Sequence, residues 1–428
     1  MMIAIVAAMA RLLPTFGALR RRWLQGLTVL LTTVVGGGCS LQTSLPNVIY
    51  VAVGTSSDQT VDAELVREFQ TRLQVLADGY RQLQPNTHFQ FAVYPEERMA
   101  AVLRHRNGAG LGPDLVLVNG GTAQNLLRAG LIDPYPGDKT LLNNFDPKEL
   151  QRLFNHRGQL SGLPMLLQTQ LACFNRQRLS QPPASLKDLL VASASGHPIG
   201  LIISLRELFW SVGSQGALQS IEAATAGRAL TTEERQRITT WLAWLQAANA
   251  QQRITFYPNQ ATADAEFLAG RLDWIPCRST SLPRLRQALG PALGVAPLPA
   301  GEGGQASPIN PLRTWALGPL ASSTARERAL AFTRFSVNPL TQRTITLSAQ
   351  TVLPANRFVR VPVRSSAVLA AMETAAQQGR QNAAVLRIAH SGDPRLETVQ
   401  TLLSELIFGE ITPQATADRL VAALRPRP

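Results

Sequence analysis

From residue 47 to residue 134 the chain alternates two hydrophobic patterns. Short β-branched runs are followed by longer stretches in which apolar residues recur every three or four positions. Residues 47–53 predict a buried strand that ends in a polar loop, 54–58. Over 61–83, Phe69, Leu73, Leu76, Tyr80 and Leu83 share one face of a helix. Strands follow at 88–94 and 114–118, and helices at 96–105 and 122–129. Short loops between alternating strands and helices predict a parallel α/β sheet. In such sheets ligands sit beyond the carboxyl ends of the strands, which places 54–58 and 119–121 on a binding rim. Residues 163–175 predict one long extended segment. Beyond it the alternation resumes, with helices at 185–192, 205–213, 233–248 and 264–269, and strands at 199–203, 272–276 and 294–299. A Gly-rich loop at 301–307, a return strand at 314–317 and a helical tail from 366 complete the pattern.

Length sharpens this picture. At 428 residues the chain exceeds one ordinary core, since single cores stop growing near ~250–300 residues, so two lobes are expected. The net charge of +13 does not point to nucleic acid. The basic residues are almost all arginines, scattered without long like-charge blocks or interleaved aromatics, as on a solvated surface. Four of them, Arg11, Arg20, Arg21 and Arg22, lie in an N-terminal targeting segment, and the last three precede an apolar run, 24–35, which ends in Gly36, Gly37, Gly38 and Cys39. A basic region, an apolar core and small residues make a secretory signal, and the run is shorter than the ~20 residues a membrane span needs. The cysteine after small residues resembles the lipobox of bacterial lipoproteins, although Gly36 stands where that motif prefers leucine. Cys39 is therefore the expected lipidation site, with plain cleavage as the alternative; translation starts at Met1 or Met9.

Catalytic and cofactor motifs find little support. Gly108, Gly110 and Gly112 precede a strand instead of following one, the wrong order for a dinucleotide fingerprint. The five histidines show no metal-ligand spacing, and no nucleophile elbow occurs. No metal or cofactor is expected, and the chain is read as a non-enzyme.

Seven segments, in order, resemble the family 1 extracellular solute-binding proteins, relatives of maltose-binding protein. They are PDLVLVNG at 113–120 with LLRAGLIDP at 126–134, GQLSGLP at 158–164 with LACFN at 171–175, PASLKDL at 183–189, EFLAG at 266–270, GVAPLP at 294–299, ALAFTRF at 329–335 and LPAN at 353–356. The resemblance implies a type II periplasmic-binding-protein-like α/β fold: two lobes, a ligand cleft between them, and crossing strands as the hinge. The expected division is 1–38 signal peptide, 39–46 tether, 47–166 lobe one, 167–312 lobe two, 313–350 a return to lobe one, and 351–428 C-terminal helices of lobe two. It implies a periplasmic, membrane-tethered monomer that hands a small solute to the permease of an ABC importer. A periplasmic hydrolase or a structural envelope lipoprotein are the alternatives.

Carried onto this sequence, the cleft is expected to be lined by Ser56, Asp58, Asn119, Gly120, Gln168 and Gln170, with Trp210 and Trp315 as stacking rings for a sugar. Arg278 and Arg313 stand where carbohydrate-binding relatives carry other motifs, and lean the reading from sugars and polyols toward a sugar acid, whose carboxylate arginine grips bidentately. Cys173 and Cys277 each sit in an apolar run and are expected to stay unpaired. The alternative is that an oxidising compartment and the family's second-lobe sheet bring them together.

Overall fold

The computed structural model describes residues 47–55, 63–319, 322–380, 382 and 395–426. The expected signal segment, Cys39, Ser56 and Asp58 lie outside these.

Two sheets organise the chain, both within the compact unit Val48–Pro428. The first has the order β11-β4-β10-β3-β1-β2, built from β1 (Asn47–Thr55), β2 (Thr87–Pro95), β3 (Leu115–Asn119), β4 (Leu163–Leu167), β10 (Leu312–Leu317) and β11 (Leu353–Pro354). β1 and β3 are parallel, whereas β10 runs antiparallel between β3 and β4. Every residue of β3 is buried, as expected of a strand covered on both faces. Alternate side chains feed different cores. Leu115 and Leu117 join Leu73, Leu76, Trp315 and Phe332, and Val116 and Val118 join Met99, Leu103 and Leu126 on the other face.

The second sheet has the order β7-β6-β8-β5-β9. Its strands are β5 (Gln170–Asn175), β6 (Ile199–Ile202), β7 (Ile254–Tyr257), β8 (Trp274–Arg278) and β9 (Leu293–Ala296). The C-terminal helices Arg395–Ile407 and Pro413–Leu424 pack on this lobe, against the helix Thr232–Asn249. β11 departs from the expected division. Its backbone pairs with β4 in the first sheet, so the chain leaves that sheet after Pro354, and not at 350.

The extended segment expected over 163–175 is two strands in different sheets, broken at Gln168 and Thr169. This is the first crossing between lobes. The second, at Asn310 and Pro311, runs beside it: the Gln168 N–H donates to the Pro311 carbonyl (2.9 Å), and the Gln170 N–H to Asn310 Oδ1 (3.1 Å). Asn310 Nδ2 in turn donates to the Ala375 carbonyl (2.8 Å). The lobes also meet away from the crossings. Arg152, paired with Glu149 at 3.0 Å, reaches the Gly379 carbonyl at the end of the helix Ala367–Gly379, and Arg380 stands 4.0 Å from Asp146.

Cys173 and Cys277 form a disulfide, which corrects the expectation of two free thiols. β5 pairs antiparallel with β8 so that Leu171 faces Cys277 and Cys173 faces Ile275. The cysteines are diagonal neighbours on one face, with Cα atoms 5.7 Å apart, inside the ~4.4–6.8 Å span a bridge requires.

Candidate functional site

Lobe one presents to the cleft the carboxyl ends of β1, β2 and β3. Pro95 ends β2, and Glu96 opens a single 3-10 turn, Glu96–Arg98, that precedes the helix Met99–Gly108. The Glu96 carboxylate accepts the Asn119 N–H (2.9 Å) and Arg313 Nη1 (2.9 Å). Arg313 reaches this point from β10 because its register places it directly opposite Asn119. The same guanidinium donates to Asn119 Oδ1 (3.1 Å), the Gly54 carbonyl (2.6 Å) and the Leu117 carbonyl (2.9 Å). Burial pulls the Arg313 pKa below the usual guanidinium value, opposed by Glu96. Such a group sits inside a protein only when paired and hydrogen-bonded. Its chemistry is spent on holding three strand ends together.

Lobe two presents the carboxyl ends of β6, β7 and β8. Gln170 and Arg278 face each other across the β5–β8 ladder, and both side chains turn to Glu207, near the start of the helix Leu205–Ser214. Arg278 pairs with the Glu207 carboxylate. Gln170 Nε2 donates to the same carboxylate and to the Glu207 carbonyl, each at 3.0 Å. An acid in the first turn of a helix also suits the positive end of its dipole. Beside this group lies a cavity of 340 Å³ of mixed lining, in which Ser204, Glu207, Gln260 and Arg278 stand beside Ile202 and Leu396. Gln168, Thr169 and Gln170 line a smaller space at the crossing, which shares Arg206, Glu207 and Arg278 with it. A further cavity of 550 Å³, lined mainly by aliphatic side chains such as Leu73, Leu76, Met165 and Ile345, also borders Gln168 and Arg313.

Arg278, Gln168 and Gln170 thus come together at the crossing, on the lobe-two side. Four other expectations are corrected. Trp210 is fully buried between Trp244 and Trp274, with ring centroids at 6.2 and 6.3 Å. Trp315 is fully buried against Phe332, and its indole N–H donates to Ser336 Oγ (2.9 Å). Neither ring is available to stack on a ligand, and no aromatic side chain lines the two cavities beside Glu207 among the described residues. Arg313 is 5% exposed and fully engaged in lobe one. Gly120 opens the helix Gly120–Arg128 with Leu153 so near that a Cβ would lie 2.6 Å from its Cδ2; the glycine serves packing.

Glu207, Glu96 and Gln260 were not found from sequence. Ser204 and Glu207 have the S-x-x-E spacing of a capping box, yet Ser204 makes no side-chain cap and Glu207 turns to Arg278 instead. That unused cap was the one available signal. Among the described residues no group of three His, Cys, Asp or Glu is placed to hold a metal ion, and no helix is long and apolar enough to cross a membrane.

No curated protein matches the chain by sequence. Solved structures match its fold at low identity. The GacH receptor of Streptomyces glaucescens, solved unliganded and with acarbose, superposes with a TM-score of 0.68 at 15% identity, covering 88% of this chain and 97% of that one. A cyclo/maltodextrin-binding protein complexed with maltotetraose gives 0.64 at 16%, covering 89% and 96%. An ABC transporter solute-binding protein from Thermotoga lettingae, bound with α-D-tagatose, gives 0.63 at 14%, covering 88% and 99%. These neighbours are binding proteins of the two-lobed, maltose-binding-protein-like fold. The family model for bacterial extracellular solute-binding proteins matches residues 76–367, more than half of the sequence, and the chain belongs to that family.

Proposed function

We propose that this protein is an extracytoplasmic lipoprotein, anchored through Cys39, that captures a neutral sugar or polyol between its lobes and delivers it to the permease of an ABC importer. Binding of sugars by its structural neighbours supports the class of solute. The observation that carries the neutral reading is the pairing of both candidate arginines, Arg278 with Glu207 and Arg313 with Glu96. A carboxylate or phosphate gripped by Arg278 would bring a second buried anion beside Glu207. A hydroxyl group, by contrast, adds to an existing carboxylate–guanidinium pair as donor to one and acceptor from the other. The ion pairs therefore weigh against the sugar acid expected from the sequence. Ser56 and Asp58, which follow β1 in sequence, are proposed as contributors from lobe one, and the protein as a monomer.

A thermal-shift screen with neutral sugars, polyols, uronic acids and glycerol phosphates tests the reading. A neutral sugar is expected to raise the melting temperature most, with calorimetry giving a single site. A uronate or phosphate as the tightest ligand would overturn the neutral assignment, and an unmodified Cys39 in the mature protein would overturn the anchor.

A further inference from the structure

We propose that lobe two carries the primary recognition surface, and that Gln170 and Gln260 set its specificity by presenting buried acceptors that a donor-rich, uncharged solute satisfies. The inference rests on the reading of the protein as a sugar-binding one. It begins with the amides. Gln260 is 4% exposed; its Nε2 donates to the Asp264 carboxylate (2.7 Å) and to the Pro276 carbonyl (2.9 Å). The Pro276 carbonyl can only accept, so the nitrogen end of the amide is fixed, and with it the direction of Oε1. Gln170 is oriented in the same way, its Nε2 held between the carboxylate and the carbonyl of Glu207. In both residues Oε1 is buried and finds no donor among the described residues, as is also true of Thr169 Oγ1.

A buried acceptor without a donor carries a cost of ~1–3 kcal/mol, and the two amide oxygens border the two cavities that share Glu207 and Arg278. The free energy is recovered when ligand O–H groups enter. At the two amide oxygens a carboxylate or phosphate oxygen brings lone pairs toward lone pairs. The arrangement is one-sided: the residues that line the 340 Å³ cavity all belong to lobe two. On lobe one, Glu96, Asn119 and Arg313 bond one another across the strand ends.

Calorimetric titration of the mature protein with D-tagatose and with maltose tests this, using Gln170→Met and Gln260→Met, which keep side-chain length and remove the acceptor. Each substitution is expected to weaken the bound sugar about 3- to 10-fold, the value of one neutral hydrogen bond. The penalty should shrink for the deoxy sugar that lacks the donating hydroxyl, a non-additivity that general loosening of the fold does not produce. Unchanged affinity in both variants, or an equal penalty for every deoxy analogue, would overturn the assignment of the two glutamines while leaving the sugar-binding reading intact. Failure of the wild-type protein to bind either sugar would overturn both.

Discussion

Replacing Arg313 by alanine separates a structural arginine from a ligand-gripping one. Its guanidinium holds four acceptors: the Glu96 carboxylate, Asn119 Oδ1 and the carbonyls of Gly54 and Leu117. Removing it strands Glu96, a buried acid left with the Asn119 N–H as its remaining hydrogen-bond donor among those described. Breaking a buried pair by deleting one partner costs about 3–5 kcal/mol, and the loss of two carbonyl contacts places Arg313→Ala in the upper half of that range. The double variant Glu96→Gln/Arg313→Met removes the uncompensated charge, and should be more stable than Arg313→Ala by at least ~1 kcal/mol, the scale of coupling between contacting residues. Urea denaturation of the sugar-free protein, followed by far-UV circular dichroism, measures both. An unchanged unfolding midpoint together with a sugar affinity lowered more than tenfold would refute the reasoning, because Arg313 would then act on ligand and not on the strand ends.

Three further outcomes follow from the same geometry. The Cys173–Cys277 bridge closes a loop with a sequence separation of 104, so Cys173→Ala/Cys277→Ala should lose about 3–5 kcal/mol in urea denaturation; neither thiol should alkylate before reduction. Burial raises the Asp264 pKa above its ordinary value, so the folded state favours the protonated acid. Its contribution is full below the unfolded pKa and is lost as pH rises through the folded one. Asp264→Asn should therefore be the more stable protein at pH 7, with the difference closing on acidification; a difference that widens on acidification would contradict this. Finally, Arg152→Ala/Arg380→Ala removes charged contacts between the lobes, and should enlarge the radius of gyration of the sugar-free protein in small-angle scattering. An identical scattering curve would show that these contacts do not hold the lobes.

The alternation of β-branched runs with helical periodicity made the first three strands legible, because each signal is local. The crossing at Gln168 and Gln170 was legible as an extended run, although not as a change of sheet, since nothing in the pattern marks the break at Thr169. What stayed hidden depends on distant register. Glu96 finds Arg313 across 217 positions and Glu207 finds Arg278 across 71, and a lone acid after a strand does not announce its partner. Trp315 lies two residues from Arg313 on the same face of β10. Only the insertion of that strand between β3 and β4 turns this face toward Phe332 and the core. The disulfide was missed for the same reason: two apolar runs over a hundred residues apart pair with their cysteines in diagonal register.

The place of β10 also bears on the order in which the molecule assembles. Until Leu312–Leu317 inserts, lobe one holds β2-β1-β3 on one side and β4 on the other, with no ladder joining them. Lobe two has no such interruption, for its five strands lie consecutively between Gln170 and Ala296. On a chain emerging from its N-terminus, lobe two can close its sheet before lobe one can, although lobe one was made first. Non-local pairing of this kind slows folding.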